Sequence, residues 1–163
     1  MSKGNEIIQY KNRIIKDLLH NEDSTLSHEL VSVIDENFLG AEDDLIYRNI
    51  FPYARIPDTQ TEARCYITMT VDMPKVSTKN YFFKDMLITI HVIVHEEKMK
   101  MPANYSANRA DYIGSIINKM FNGNKNYGNV SLEYVSDIEE ILLNKFFVRS
   151  IRFRCNELNT VRC

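Results

Sequence analysis

The sequence predicts an α+β protein with a mostly antiparallel, twisted sheet of about four strands and helices packed on one face of it. Residues 81–95 lack glycine and proline and are rich in β-branched residues, as a central strand requires. Residues 63–71 alternate apolar and polar side chains at the strand period of two. Residues 5–19 and 108–122 instead repeat their apolar side chains at helical spacing. Strands and helices in this order favour a sheet with helices on one side.

The central strand is expected to have two different faces. One face is wholly apolar and should lie in the core: Met86, Ile88, Ile90, Val92 and Val94. The other face is mixed and should be partly covered: Leu87, Thr89, His91, Ile93 and His95. The strand at 63–71 and the central strand are expected to form a hairpin with a long loop over residues 72–80.

Residues 1–40 are predicted to form an N-terminal helical pair. The first helix is the amphipathic stretch 5–19. Ser24 or Thr25 is expected to cap the second helix, which runs to about Phe38, with Gly40 as a stop signal. A connection of about five residues between them favours an antiparallel pair.

Residues 45–156 are predicted to form the sheet-plus-helix core of a single domain that spans residues 1–163. Pro52 and Pro57 interrupt residues 45–57, which we expect to be a structured connector. Gly123 is placed to adopt the left-handed conformation after the helix at 108–122. Then come a short strand at 130–135, a helical turn or second strand piece at 137–143, a last strand at 146–156 and a loose tail at 157–163.

Bulk composition narrows the class of protein. The chain has 163 residues and a net charge of -2, which suits one domain and argues against a dedicated nucleic-acid binder. Cys65, Cys155 and Cys163 are odd in number and widely spaced, which favours reduced packing thiols in a cytosolic product over disulfides or a zinc site. We expect neither a signal peptide nor a membrane span.

Two groups of residues could carry metal chemistry. His91 and His95 share a strand face but would lie about 13 Å apart, too far to hold one ion by themselves. Glu96 and Lys98 form an E-x-K pattern after the central strand, which together with Asp58 is typical of metal-dependent nucleases. The match is poor because Asp58 precedes a different strand. The sequence therefore predicts no catalytic, cofactor-binding or metal-binding residues, with the nuclease as the alternative.

One combination of segments points to a family. It comprises the strand Ile88–His95, a helix that opens with Arg109-x-Asp111-x-Ile113 and ends in Asn122-Gly123, a strand at 130–135 and a closing strand at 146–154. The combination covers roughly residues 45–156. It resembles the tail terminator (tail completion) and neck proteins of long-tailed bacteriophages.

The resemblance implies a structural protein without enzymatic activity. Such proteins form a closed homo-oligomeric ring, commonly a hexamer, that caps the tail tube and joins it to a head-side neck or stopper protein. The resemblance also implies a place in the tail or neck of the virion, assembly in the host cytoplasm, no membrane contact, and passage of DNA through the lumen without specific binding.

Loops are the expected contact surfaces of such a ring. The candidates are residues 72–80 and 96–105. Met99, Met101 and Tyr105 would suit an adaptable interface, although anchoring into the core of their own subunit is an equal alternative.

Two further interpretations stay open. Arg152 and Arg154 could meet the acidic residues of a neighbouring subunit or simply form a solvated face; those acidic residues are Asp137, Glu139 and Glu140. A host-binding or inhibitory module of unknown target is a third class of function, beside the assembly protein and the nuclease.

Overall fold

The computed structural model describes residues 6–55, 63–73, 83–101, 107–128, 130–142 and 145–158. Within these ranges the helices are α1 (Glu6–Leu19), α2 (Ser24–Ile34) and α3 (Arg109–Phe121). The strands are β1 (Ile50–Phe51), β2 (Cys65–Asp72), β3 (Phe83–His95), β4 (Glu133–Leu142) and β5 (Phe146–Leu158). One-turn 3₁₀ helices lie at Glu42–Leu45 and Glu96–Lys98.

The strands form one sheet in the order β1-β2-β3-β5-β4. All neighbouring pairs are antiparallel except β1 and β2, so the predicted α+β fold is confirmed. The sheet has five strands where about four were expected. The additional strand is β1, in the predicted connector, where Ile50 and Phe51 pair in parallel with Ile67 and Thr68. β2 and β3 form the predicted hairpin, but residues 74–82 of its loop and strand entry lie outside the described residues.

The main core lies between the sheet and the helices. The predicted inward face of β3 is buried over its whole length: Met86, Ile88, Ile90, Val92 and Val94. The matching face of β2 is buried beside it, and α3 contributes five large apolar side chains: Ile113, Ile116, Ile117, Met120 and Phe121. Removing this apolar surface from water is the main stabilising contribution to the fold.

The helical pair at the N-terminus differs from the prediction at both ends of α2, although α1 and α2 do pack together. Asp23, and neither Ser24 nor Thr25, is the N-cap, since its carboxylate accepts the Thr25 N–H at 3.1 Å. The helix ends at Ile34, well before Phe38 and Gly40. The Asp35 carboxylate accepts the Asn37 N–H at 3.2 Å, and this local turn competes with another helical turn.

The C-terminal half contains one long strand where two elements were expected. β4 runs continuously over Glu133–Leu142, with a bulge between Tyr134 and Ser136, and pairs with β5 along its length. β4 therefore joins the predicted strand at 130–135 to the second strand piece that was one alternative for 137–143, and the other alternative, a helical turn, was wrong. β5 extends to Leu158, so the predicted tail begins later, and residues 159–163 lie outside the described part. Gly123 follows α3 with φ of 79°, as predicted.

Candidate functional surface

The sheet presents one face that the three helices do not cover. Side chains from all three helices pack into the main core on one face, whereas the apolar cluster on the opposite face contains no helical residue. We call this opposite side the helix-free face. Strand alternation and the pairing register place these residues on it: Thr68, Thr70, Leu87, Thr89, His91, Ser136, Ile138, Glu140, Ser150, Arg152 and Arg154.

An aromatic row crosses one end of the helix-free face. The Phe51 and Tyr66 ring centroids lie 6.3 Å apart, and those of Tyr66 and Phe146 lie 6.4 Å apart. Beyond Phe51, the row continues at the β1 edge to Tyr53 and Tyr47, which are 44% and 65% exposed. At the other end Leu142 of β4 packs against the same cluster. The row therefore reaches both edges of the sheet.

His91 lies in the polar centre of this face. Its Nδ1 and the Ser150 Oγ share a hydrogen bond of 2.8 Å. Burial lowers the pKa of His91; Glu140 opposes this effect and Arg152 adds to it. The folded protein thus favours the neutral imidazole.

His95 has a different environment from His91. It is nearly buried, its ring packs edge-on against Phe146 at 5.0 Å, and its Nδ1 accepts the Glu97 N–H at 3.3 Å. Across the ranges that the structure describes, no three His, Cys, Asp or Glu side chains come together as a metal site would need.

The free edge of the sheet is β4. Within the described residues, β4 pairs only with β5, so its outer side has no strand neighbour. Its exposed apolar side chains are Tyr134, Val135, Ile138 and Ile141, which are 41% to 68% exposed. Its acidic residues are Glu133, Asp137, Glu139 and Glu140, and it contains no Lys or Arg. A long edge strand with exposed apolar residues can bind another polypeptide chain. The carboxylates of β4 favour a partner that carries positive charge.

Arg149 neutralises part of this acidic edge from within the chain. Its Nε lies 2.8 Å from Asp137 Oδ1 and its Nη1 lies 3.7 Å from Glu139 Oε2, and it also pairs with Asp111 of α3. Burial disfavours the guanidinium, but the hydrogen bond to Asp137 and the nearby carboxylates raise the pKa of Arg149 overall. This cluster explains why an arginine interrupts the apolar face of β5.

Arg152 and Arg154 are both exposed, as the solvated-face interpretation expects, and their contact with a neighbouring subunit stays a prediction. Arg154 pairs with Glu133 of its own chain at 2.9 Å. Two of the three predicted acceptors, Asp137 and Glu139, lie beside Arg149. Glu140 is exposed and has no ion-pair partner among the described residues.

The residues of the nuclease hypothesis are only partly described. Glu96 and Lys98 lie in the exposed 3₁₀ turn directly after β3. Lys98 also lines a pocket of about 210 Å³ next to Asp35 and Glu36. Asp58 lies outside the described residues, so the grouping of the three side chains stays a prediction.

The loop that follows β3 is anchored in its own subunit. Met101 is buried in the main core and Met99 packs against it, so the structure favours the anchoring alternative over an interface for these two residues. Tyr105 lies outside the described residues.

Arg109 has a role that the sequence did not reveal. It is nearly fully buried at the start of α3, and its Nε donates to the Lys98 carbonyl at 2.6 Å. Its Nη atoms donate to the Val33 carbonyl, the Lys100 carbonyl and the Glu36 carboxylate. One guanidinium thereby ties α3, the end of α2 and the loop after β3 together. These contacts join residues up to 76 positions apart, and no local pattern indicates them.

The cysteines behave as packing residues where they are described. Cys65 and Cys155 are buried, as predicted, and burial raises the pKa of the Cys65 thiol to about 12. Cys163 lies outside the described residues. In the described part of the chain, no helix has the length and apolar composition needed to cross a bilayer.

Comparison with known proteins gives one family match. The model of the family described as YomW matches residues 12–155, from within α1 to near the end of β5. The family name indicates a protein of phage type, which agrees with the phage origin implied by the resemblance. No curated protein matches the chain.

Proposed function

The chain belongs to the YomW family, and we propose that it is a structural assembly protein of a phage virion. In this proposal it is a tail terminator or neck ring that caps the tail tube and joins it to the head connector. The observation that carries the proposal is a single sheet that, within the described ranges, has a face free of helices and a ten-residue edge strand that pairs on one side only.

Capping a tube requires one subunit to offer different surfaces in different directions. A subunit that binds the growing end but presents a different upper face stops further addition. Closed homo-oligomers place the same surfaces at every subunit contact, so a hexameric ring repeats these surfaces around the tube. The helix-free face and the β4 edge are two chemically distinct surfaces of this kind, which supports the proposal.

The charge of the chain suits a ring through which DNA passes without specific binding. Affinity for phosphate depends on Lys and Arg in excess, whereas this chain has 20 basic and 22 acidic residues. The proposed location is the tail or neck of the virion, after assembly in the host cytoplasm. The proposed partners are further copies of the chain, the tail tube protein and the head-side neck or stopper protein.

The nuclease is the alternative because Glu96 and Lys98 are both exposed on the turn after β3. An Mg²⁺-dependent DNA cleavage assay on the wild type, Glu96→Ala and Lys98→Ala separates the two functions. The assembly proposal expects no cleavage by any of the three proteins. Cleavage by the wild type that is lost in both variants would replace the assembly proposal with the nuclease.

Electron microscopy of phage particles that carry a labelled copy of this chain tests the assembly proposal directly. Label at the junction of head and tail is the expected result. Particles of normal composition that lack the chain would overturn the proposal and favour a host-directed function, such as a host-binding or inhibitory module.

A further inference from the structure

We propose that subunits associate head to tail through opposite edges of the sheet, so that β4 of one copy docks against residues 46–55 of the next copy. This inference rests on the proposed ring and names the contact that closes it. The two surfaces are called the β4 edge and the 46–55 segment below.

The two edges have opposite charge. The β4 edge carries four carboxylates and no basic residue. Arg149 and Arg154 of β5 contact three of them, and Glu140 is the exposed carboxylate without an ion pair among the described residues.

The 46–55 segment carries Arg48 and Arg55 and no acidic residue. Arg48 is paired with Asp35 at 3.0 Å, whereas the Arg55 guanidinium lies 4.4 Å from the Phe51 ring centroid and has no carboxylate partner among the described residues. Among the described residues of this edge, Arg55 is therefore the cation that can meet a carboxylate of another copy.

The apolar parts of the two edges also lie at matching positions. The aromatic row begins at the exposed Tyr47 and Tyr53 on the 46–55 segment and ends at Leu142 on β4. On the same face of β4 as Leu142, the side chain of Ile138 is 50% exposed, and the pairing register places it in line with Phe51 across the sheet. In a head-to-tail contact, Tyr47 and Tyr53 of one copy would cover Ile138 of the next, and the row would continue from subunit to subunit.

Pairing of β4 with β4 of a second copy is disfavoured by the same charges. It would bring together two strands that carry four carboxylates each, and Arg149 and Arg154 offset only part of that charge. Like charges across paired strands are destabilising. A contact between two different edges avoids this repulsion. Contacts of that kind generate closed rings when the rotation between subunits closes.

Side chains rather than backbone make the contact on the 46–55 side. The Tyr47 N–H already donates to the Ile50 carbonyl at 2.8 Å, and β1 has only two residues in its ladder. The aromatic rings and Arg55 are therefore the groups that the β4 edge meets. Tyrosine and arginine are the residue types that most often dominate binding energy at interfaces.

Disulfide trapping tests the geometry of the contact. The full-length double variant Tyr47→Cys with Ile138→Cys is oxidised and analysed on a non-reducing gel, with both single variants and the wild type as controls. Four strand spacings of about 4.8 Å separate the two edges, too far for a disulfide within one chain. The expected result is a ladder of covalent oligomers from the double variant and no ladder from either single variant.

Charge reversal tests the chemistry of the contact by sedimentation velocity. Glu140→Lys and Arg55→Glu are each expected to weaken association about tenfold or more, since like charges at an interface repel. The combined variant is expected to recover most of the wild-type association, because the two charges are exchanged and remain opposite. The matched control is Glu22→Lys with Lys125→Glu, which changes the same charges at the remote end of the helical layer, and it is expected to associate like the wild type.

Several outcomes would overturn the inference. They are a wild type that stays monomeric at all concentrations, covalent dimers from Ile138→Cys alone, or a combined charge variant that associates no better than the single variants. Circular dichroism of each variant separates loss of contact from loss of fold. A ladder of covalent oligomers together with virions that lack the chain would contradict the proposed function but support this contact. Labelled virions without a ladder would support the proposed function but contradict this contact.

Discussion

Replacing the buried Arg109 with methionine is expected to lower the free energy of unfolding by about 4 kcal/mol, because the guanidinium is the donor to carbonyl groups of two other segments. Methionine keeps the apolar stem but leaves the Val33 and Lys98 carbonyls without their donor. Each unpaired buried group costs about 1–3 kcal/mol. The Glu36 carboxylate adds little to this loss in free energy of unfolding, because its side chain is 46% exposed and water can replace the lost guanidinium.

Urea unfolding followed by circular dichroism measures this change, with a matching drop in Tm of about 10 °C for a chain of this size. The control is Arg48→Met, which removes an exposed pair with Asp35 whose side chains are 40% and 24% exposed. Such a pair is worth up to about 1 kcal/mol. Arg109→Lys keeps the positive charge but lacks the planar guanidinium. Its loss in free energy of unfolding should therefore lie between those of Arg109→Met and Arg48→Met. A loss for Arg109→Met no larger than for Arg48→Met would refute the reasoning.

Three further predictions concern local chemistry. Because burial lowers the pKa of His91 in the folded state, the unfolded chain takes up this proton first, so the free energy of unfolding should fall as pH drops below about 6.5; His91→Gln should flatten that part of the pH profile. Gly128→Ala should lower Tm more than Gly123→Ala, since both residues have positive φ but an added Cβ at Gly128 would lie 2.8 Å from the Asn156 carbonyl oxygen. Iodoacetamide at pH 8 should label Cys65 only after unfolding, as peptide mapping by mass spectrometry would show; rapid labelling of the folded protein would contradict its burial and its pKa of about 12.

The sequence predicted the features that depend on local pattern. The alternation along β3 identified both of its faces, because successive side chains of a strand point to opposite sides. Gly123 was recognised because the residue that follows a helix often needs a positive φ. These signals lie within a few residues of the structure that they indicate.

The features that were missed depend on partners distant in the sequence. The continuity of β4 was missed, because Ile138, Ile141 and Leu142 recur at spacings of three and four and left a helical turn open as an alternative to a strand. Pairing with β5 holds them in the strand. The aromatic row combines Phe51, Tyr66 and Phe146 from three different strands. None of these stretches shows by itself that it contributes to a shared surface.

Cryo-electron microscopy of the phage particle that contains this chain tests the central claim most directly. The account predicts a closed ring of identical copies between the tail tube and the head connector, with β4 of each subunit beside residues 46–55 of the next. A tail tube that meets the head connector with no density for this chain would contradict it.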